Sequence, residues 1–312
     1  MNAKWAWVFP GQGSQATGMG AALAAHFPEA RAVFDAADDA LGEKLSALCF
    51  EGAKEALELT ANAQPAILTT SAAAHAVFAQ RAPAAVMVAG HSLGEYSALV
   101  AAGALGLSDA VRAVRARGRF MQEAVPPKVG AMAAVLGLDA AAVKRVCEEA
   151  AQGQVVQPAN YNSPEQTVIA GHAEAVGRAE GLLKAAGAKR VIPLAVSAPF
   201  HCALMEPVKA RLAEVLGKAE IQAPKVPVVS NVEARPNADR ARVVPLLLEQ
   251  VTGAVRWVEC VQALEKEGVT GLVELGPGRV LSGLARRISK KLKVVNVEDP
   301  ASLEAALKEM GA

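Results

Sequence analysis

The chain is expected to be an α/β protein with a parallel sheet and a small inserted domain, and three features of the sequence predict this. Two short apolar runs, 5–9 and 85–89, are each followed by glycines and then by a helix-like stretch, as strands feeding helices in a parallel sheet are. Apolar residues elsewhere recur every three or four positions, the helical period. One stretch, beginning after Pro126-Pro127 and ending near Pro193, reads instead as strand, helix, strand, strand, helix, strand.

Taken in order, the first strand spans 5–9 and stops at Pro10-Gly11; helices follow at 31–48 and 66–80. The strand 85–89 leads through Gly90 into a helix over 95–102 ended by Gly103, and 109–124 is helical. Within the different stretch, strands are expected at 131–136, 155–161, 167–170 and 189–194, with helices at 140–151 and 174–186. Gly153 and Gly187 stand where helix C-caps belong, and 162–165 (Asn-Ser-Pro-Glu) is a turn. That order is the ferredoxin-like unit, which assigns 128–195 to a small domain inserted into a large one made of 1–127 and 196–312. Further helices are expected at 207–216 and 283–290.

With 312 residues and 52% apolar residues, the chain can bury a large core. Its 32 Lys and Arg against 31 Asp and Glu leave almost no net charge, so no nucleic acid and no anionic membrane is expected as partner; a small molecule or a protein is. No apolar run approaches bilayer length, and 5–9 is too short for a signal-peptide core, which predicts a cytoplasmic protein. Cys49, Cys147, Cys202 and Cys260 lie far apart without metal-ligand spacing, as reduced thiols do, and no metal site is expected.

Gly90-His91-Ser92-Leu93-Gly94 is a G-x-S-x-G sequence between a strand and a helix. That context holds a serine in a strained elbow facing a cleft, as in the α/β-hydrolase arrangement, and marks Ser92 as a nucleophile. The bland alternative is a glycine-rich bend. A serine hydroxyl needs a base. Of five histidines, His26 and His75 lie in helical stretches, His172 begins a helix of the insert, and His91 points away from its neighbour on a tight turn. His201 remains, in a loop between a strand and a helix, where catalytic groups concentrate.

Gly11-Gln12-Gly13-Ser14-Gln15-Ala16 follows the first strand and formally fits a dinucleotide fingerprint. That reading needs a second strand ending in an acid about twenty residues on, whereas Asp35 falls in a helical pattern. The loop can instead supply the Gln12 N–H, which with the Leu93 N–H forms an oxyanion hole; a plain turn is the other reading. On the helix 109–124, Arg112, Arg115 and Arg119 share one face, expected to be a solvated basic stripe, while Arg117 projects among Ala110, Ala113, Val114 and Met121. A guanidinium on an apolar face calls for an anion, either one of the chain's own acids or a substrate carboxylate.

These pieces resemble the malonyl-CoA:acyl carrier protein transacylases of fatty-acid synthesis, with similar motifs in the acyltransferase domains of polyketide synthases. The stretches that match are 9–15 (FPGQGSQ), 90–95 (GHSLGE), 117–121 (RGRFM), 199–201 (PFH), 230–232 (SNV) and 274–278 (ELGPG), in family order. The resemblance implies that Ser92 attacks malonyl-CoA with His201 as base, and that the amides of Gln12 and Leu93 hold the oxyanion. It implies further that Arg117 pairs with the malonyl carboxylate, and that the Gln250 backbone carbonyl orients the histidine. Holo acyl carrier protein would then accept the malonyl group on its phosphopantetheine thiol. No cofactor is implied, coenzyme A thioester being a substrate, and a monomer is expected. Phe200 beside the base implies little room for an α-methyl group. A serine hydrolase of the esterase or thioesterase type is the rival reading, since the elbow alone does not separate thiol from water. The basic run Arg286, Arg287, Lys290, Lys291 and Lys293 is either a docking face for an acidic carrier protein or a solvated helix face.

Overall fold

Trp5, Trp7 and Phe9 face one side of the first strand and Ala6 and Val8 the other, and all five are buried. A strand covered on both faces loses polar alternation, so it reads as an unbroken apolar run. In the computed structural model, which describes residues 3–126, 128–196 and 198–311, this strand is β1 (Trp5–Phe9), at the centre of a six-stranded sheet. Pro127 and Ser197, which fall at the expected domain boundaries, lie outside the described residues.

Helices α1 (Ala21–His26), α2 (Pro28–Leu41), α3 (Leu45–Glu51), α4 (Lys54–Glu58) and α5 (Thr60–Phe78) follow β1. The single helix expected over 31–48 is therefore two. Gly42, at φ 67°, ends α2 in the left-handed conformation with its N–H on the carbonyls of Asp38 and Asp39. The helix expected from 66 starts at Thr60 instead and runs through Pro65. Burial on nearly every side of α5 outweighs the one N–H that Pro65 lacks, which sequence reading takes as a break.

Next come β2 (Met87–Gly90), α6 (Leu93–Ala101) and α7 (Leu107–Glu123). The chain then forms β3 (Gly130–Leu136), α8 (Ala140–Ala151), β4 (Val156–Ser163), β5 (Gln166–His172), α9 (Ala173–Ala185) and β6 (Arg190–Pro193). These four strands make a separate antiparallel sheet in the order β4-β5-β3-β6. The rest of the chain contributes α10 (Glu206–Leu216), β7 (Val228–Val229), β8 (Pro236–Asn237), α11 (Arg240–Thr252), α12 (Trp257–Lys266), β9 (Gly271–Leu275), α13 (Val280–Ile288), β10 (Lys293–Val297) and α14 (Pro300–Met310). The large sheet has the order β10-β9-β1-β2-β7-β8, parallel throughout except for the β7–β8 edge.

The small sheet has two unlike faces. Ala133, Val135 and Ile169 pack with Val143, Cys147, Ala179 and Leu183 of α8 and α9. Met132, Ala134, Val168 and Ala170, one residue out of phase, join the core of the large sheet. Backbone bonds also tie the small sheet to the loop between α11 and α12: Val255 N–H donates to the Ala159 carbonyl at 2.8 Å, and Tyr161 N–H to the Val255 carbonyl at 2.9 Å. A cleft therefore forms between the carboxyl ends of β1 and β2 and the inner face of the small sheet, where open α/β sheets bind ligands.

Candidate active site

The turn between β2 and α6 is too tight for side chains on its flanks. A Cβ at Gly90 would sit 1.9 Å from the Gly94 carbonyl group, and one at Gly94 would sit 2.0 Å from the Phe9 oxygen. Between them Ser92 is held at φ 51°, ψ −104°, a conformation a non-glycine residue adopts only when its surroundings impose it. Asn231 supplies that constraint. Its Oδ1 accepts the Ser92 N–H at 2.7 Å, and its Nδ2 donates to the Gly90 carbonyl at 2.7 Å.

Ser92 Oγ lies 2.7 Å from Nε2 of His201, itself at φ 58° and 3% exposed. The other ring nitrogen, Nδ1, is 2.8 Å from the Gln250 backbone oxygen. Gln250 is in the last turn of α11, where carbonyls have no donor within the helix and are free to accept from outside. A carbonyl only accepts, so Nδ1 carries the proton and Nε2 offers its lone pair to the serine. The dyad thus lies between the positive end of α6, at Ser92, and the negative end of α11, at His201. Burial, followed by the charge of Arg117, pushes the His201 pKa down to about 3, partly offset by the Gln250 carbonyl. The imidazole is therefore neutral, and able to take a proton, throughout the neutral range.

Arg117 is on the apolar side of α7 as the sequence indicates, 2% exposed. Its Nη1 donates to Gln64 Oε1 at 2.7 Å; its Nη2 donates to Gln250 Oε1 at 2.9 Å and to Ser92 Oγ at 3.1 Å. Among the described residues its Nε has no partner, and the guanidinium stands 5.5 Å from the centre of the Tyr96 ring. Among the described residues no carboxylate forms an ion pair with it, so the internal salt bridge left open by the sequence is not the arrangement found. Arg115 departs from expectation too: rather than lying on a solvated stripe, it is 23% exposed and bonded to Asn62 and Glu43.

A cavity of about 360 Å³ opens above these groups, lined by Gln12, His91, Ser92, Leu93, Arg117, Phe200 and His201 from the large sheet's side and by Met132, Asn160 and Leu194 from the small one. The backbone N–H groups of Gln12 and Leu93 have no acceptor among the described residues, and the Gln12 side chain is anchored on Thr60 Oγ1 at 3.1 Å. The loop after β1 runs into helices, with Asp35 inside α2, so the second strand of a dinucleotide fold is not there. The structure thus gathers Ser92, His201, Gln12, Leu93 and Arg117 around one cavity, with Gln250 fully buried behind it. His91 joins the wall, its Nε2 2.8 Å from Asn162 Oδ1, while His75 packs on Trp7 and His172 Nδ1 accepts the Val155 N–H. Three participants escaped sequence reading: Asn231, Glu95 and Gln64. Glu95 Oε2 accepts from Gln250 Nε2 at 2.7 Å and from Asn231 N–H at 3.1 Å. Asn231 and Glu95 lie inside matched motifs, the only local signal they carry; Gln64 carries none.

Comparison with known proteins adds names to this geometry. The model of the acyl transferase domain family matches residues 6–303. The malonyl CoA-acyl carrier protein transacylase of Escherichia coli (strain K12) is 50% identical over 307 residues, covering 97% of this chain and 99% of that one. The solved structure of the malonyl CoA-acyl carrier protein transacylase from Coxiella burnetii superposes with a TM-score of 0.97 at 43% identity, covering 100% of this chain and 99% of that one. A malonyl-transacylase solved in complex with its type II polyketide synthase acyl-carrier protein gives 0.96 at 48% identity, covering 98% and 100% of the two chains.

Proposed function

The chain belongs to the acyl transferase domain family, and we infer from that membership and from the site that it transfers the malonyl group of malonyl-CoA to acyl carrier protein. It is an acyltransferase of fatty-acid synthesis. The observation that carries the residue assignments is Arg117, a buried guanidinium 3.1 Å from the Ser92 hydroxyl and, among the described residues, without a carboxylate in ion-pair contact. A diacid half-thioester supplies the missing anion and places its carbonyl at the serine; a neutral ester does not.

In this reading the Ser92 proton passes to His201 Nε2 as Oγ attacks the thioester carbonyl. The Gln12 and Leu93 amides, unspent on the protein, take the oxyanion. The tetrahedral adduct then expels coenzyme A, whose sulfur receives the proton from Nε2. In the second half, His201 takes the proton of the phosphopantetheine thiol, the thiolate attacks the malonyl-serine ester, and Ser92 leaves with that proton. Every step uses groups of this chain and the two thiols, so no cofactor enters the reading. The catalytic groups all come from one chain, which supports a monomer as the working unit. The four cysteines, buried and unpaired, fit the reducing cytoplasm. The finer reading of the fold is an α/β-hydrolase-like large domain (1–127 and 196–312) around a ferredoxin-like insert (128–195), supported by the elbow and by the strand order β4-β5-β3-β6.

Exposure to malonyl-CoA followed by intact-mass measurement tests this. Ser92 should carry one malonyl group, mapped by its peptide, and holo acyl carrier protein should discharge it. Free malonate accumulating at the rate of thioester loss, with no carrier-protein product, would instead make the enzyme a hydrolase.

A further inference from the structure

Ser92 is gripped on both sides of its strained peptide. Asn231 Oδ1 takes its N–H at 2.7 Å, and Gln250 Nε2 donates to its carbonyl at 3.0 Å. Both gripping residues converge on one atom: Glu95 Oε2 accepts from Asn231 N–H at 3.1 Å and from Gln250 Nε2 at 2.7 Å. Glu95 is 3% exposed and has no ion pair among the described residues, so its two N–H donors are the contacts that define it. The Gln250 amide has one workable orientation here. Rotated by half a turn, it would set its oxygen against the Glu95 carboxylate and its NH₂ against Arg117, which now donates to Oε1 at 2.9 Å.

We propose that Glu95, in its ionised form, is a positioning residue that holds the Ser92 elbow in its attacking geometry through Asn231 and Gln250. The assignment rests on the acyl-transfer reading of the same site. Ionised, Glu95 is the stronger acceptor for both N–H groups; protonated, it loosens both grips, and a strained serine relaxes when its restraints weaken.

The charged and titratable groups around Glu95 leave it alone in titrating near neutrality. Burial lifts its own pKa to about 7, against the lowering effects of the Gln250 and Asn231 N–H groups and of Arg117 on α7. Tyr96, beside it on α6, is raised to about 12 by burial, and Cys260 on α12 is raised by burial well above its ordinary value, so both stay neutral. His201, pushed down to about 3, does not titrate in this range, and burial lowers His91 as well. Acylation should therefore weaken as pH falls through about 7, on a limb belonging to Glu95.

The test measures the single-turnover rate of malonyl-enzyme formation between about pH 5.5 and 8.5, a range that brackets this carboxyl. The donor is the malonyl thioester of N-acetylcysteamine, which has no phosphate titrating there. The wild type should show one acid limb near pH 7. Glu95→Gln should flatten it and lower the high-pH rate about tenfold, with half-saturation little changed, and Glu95→Asp should restore the limb. A flat wild-type profile overturns the proposal. So does a Glu95→Gln profile that keeps the limb and stays within about twofold of the wild-type rate. Should Glu95→Gln fail to fold, the Glu95→Asp profile decides: a limb displaced from the wild-type position supports the proposal and an unmoved limb overturns it. If the wild type forms no malonyl-enzyme at all, the acyl-transfer reading fails first, and separately.

Discussion

The two sheets have opposite interiors. Between α8, α9 and the small sheet, Ala133, Val135, Val143, Cys147, Ile169 and Leu183 pack together, and among the described residues no charged side chain of the insert is buried. Beneath Ser92 in the large unit, Glu95, Arg117, His201, Asn231 and Gln250 are all buried and bonded to one another. An apolar interior is fixed by volume, and its neighbours partly relax around a missing group. A polar interior is fixed by pairing, so a removed member leaves its partners unpaired at low dielectric. The first should therefore lose stability when damaged and keep its chemistry; the second should lose chemistry first.

His201→Ala gives the sharpest form of that contrast. Without the base 2.7 Å from Oγ, formation of the malonyl-enzyme should fall on the order of 10⁴-fold or more, while the thermal midpoint stays near that of the wild type. Stopped reactions analysed by mass, beside a melting curve, check both halves. A comparable collapse of the melting curve would erase the contrast.

Leu183→Ala is the counterpart in the apolar interior. Leu183 is fully buried on α9, in the cluster between the helices and the small sheet, and does not line the cavity. Its truncation should cost about 2–5 kcal/mol of unfolding free energy, read by urea titration, with the rate per folded molecule unchanged below the transition. A fall in that rate would mean that the small sheet transmits strain to the cavity wall it forms with Met132 and Asn160.

The same contrast decides what could be read from the sequence. In the insert the helices each have one apolar face and so a clean period, and the helix expected at 140–151 is α8 to the residue; the strands are bounded by turns, and the other elements differ by one or two positions. In the large sheet β7 and β8 are two residues each, too short for any period, and β10 is only partly buried. At the site, the elbow is local and legible, since glycine, serine and glycine must be adjacent for the backbone to turn there. Arg117 announced itself by facing the wrong side of its helix. The Glu95–Asn231–Gln250 triangle did not, because its members are spread along the chain and each residue type is ordinary where it stands. Only folding gives it meaning.

Arg117→Ala tests the polar interior with less damage to the dyad. In the proposed reading its guanidinium has two effects: it would donate to the substrate carboxylate, and its charge is the second cause, after burial, of the low His201 pKa. Removing it should lower kcat/KM for malonyl-CoA about 10²-fold, the worth of a buried charge-assisted pair. For acetyl-CoA, which never uses the pair, the rate should hold or rise, because the imidazole becomes a stronger base. The sign for folding stability follows: His201 held neutral by the fold contributes stability that is lost as pH falls from its unfolded value of 6.5 towards about 3, and the variant's fold should resist acid better over that window. Equal losses for both acyl groups would assign Arg117 to packing alone.

Phe200 stands where the two kinds of interior meet, an apolar wall 9% exposed on a cavity whose floor is polar. It adjoins His201 in sequence and shares the cavity with Ser92, so in the proposed reading its ring would limit the volume beside the carbon that carries the malonyl carboxylate. An added methyl group in a fitted apolar wall changes discrimination by only about tenfold to a hundredfold, much less than a missing charge pair. Phe200→Ser should accordingly raise methylmalonyl transfer relative to malonyl by about tenfold, measured with both thioesters in competition, and leave the malonyl rate within a few-fold of wild type. A ratio that does not move would show that the wall yields to the methyl group, and that selection among diacids is made by the paired groups beneath it.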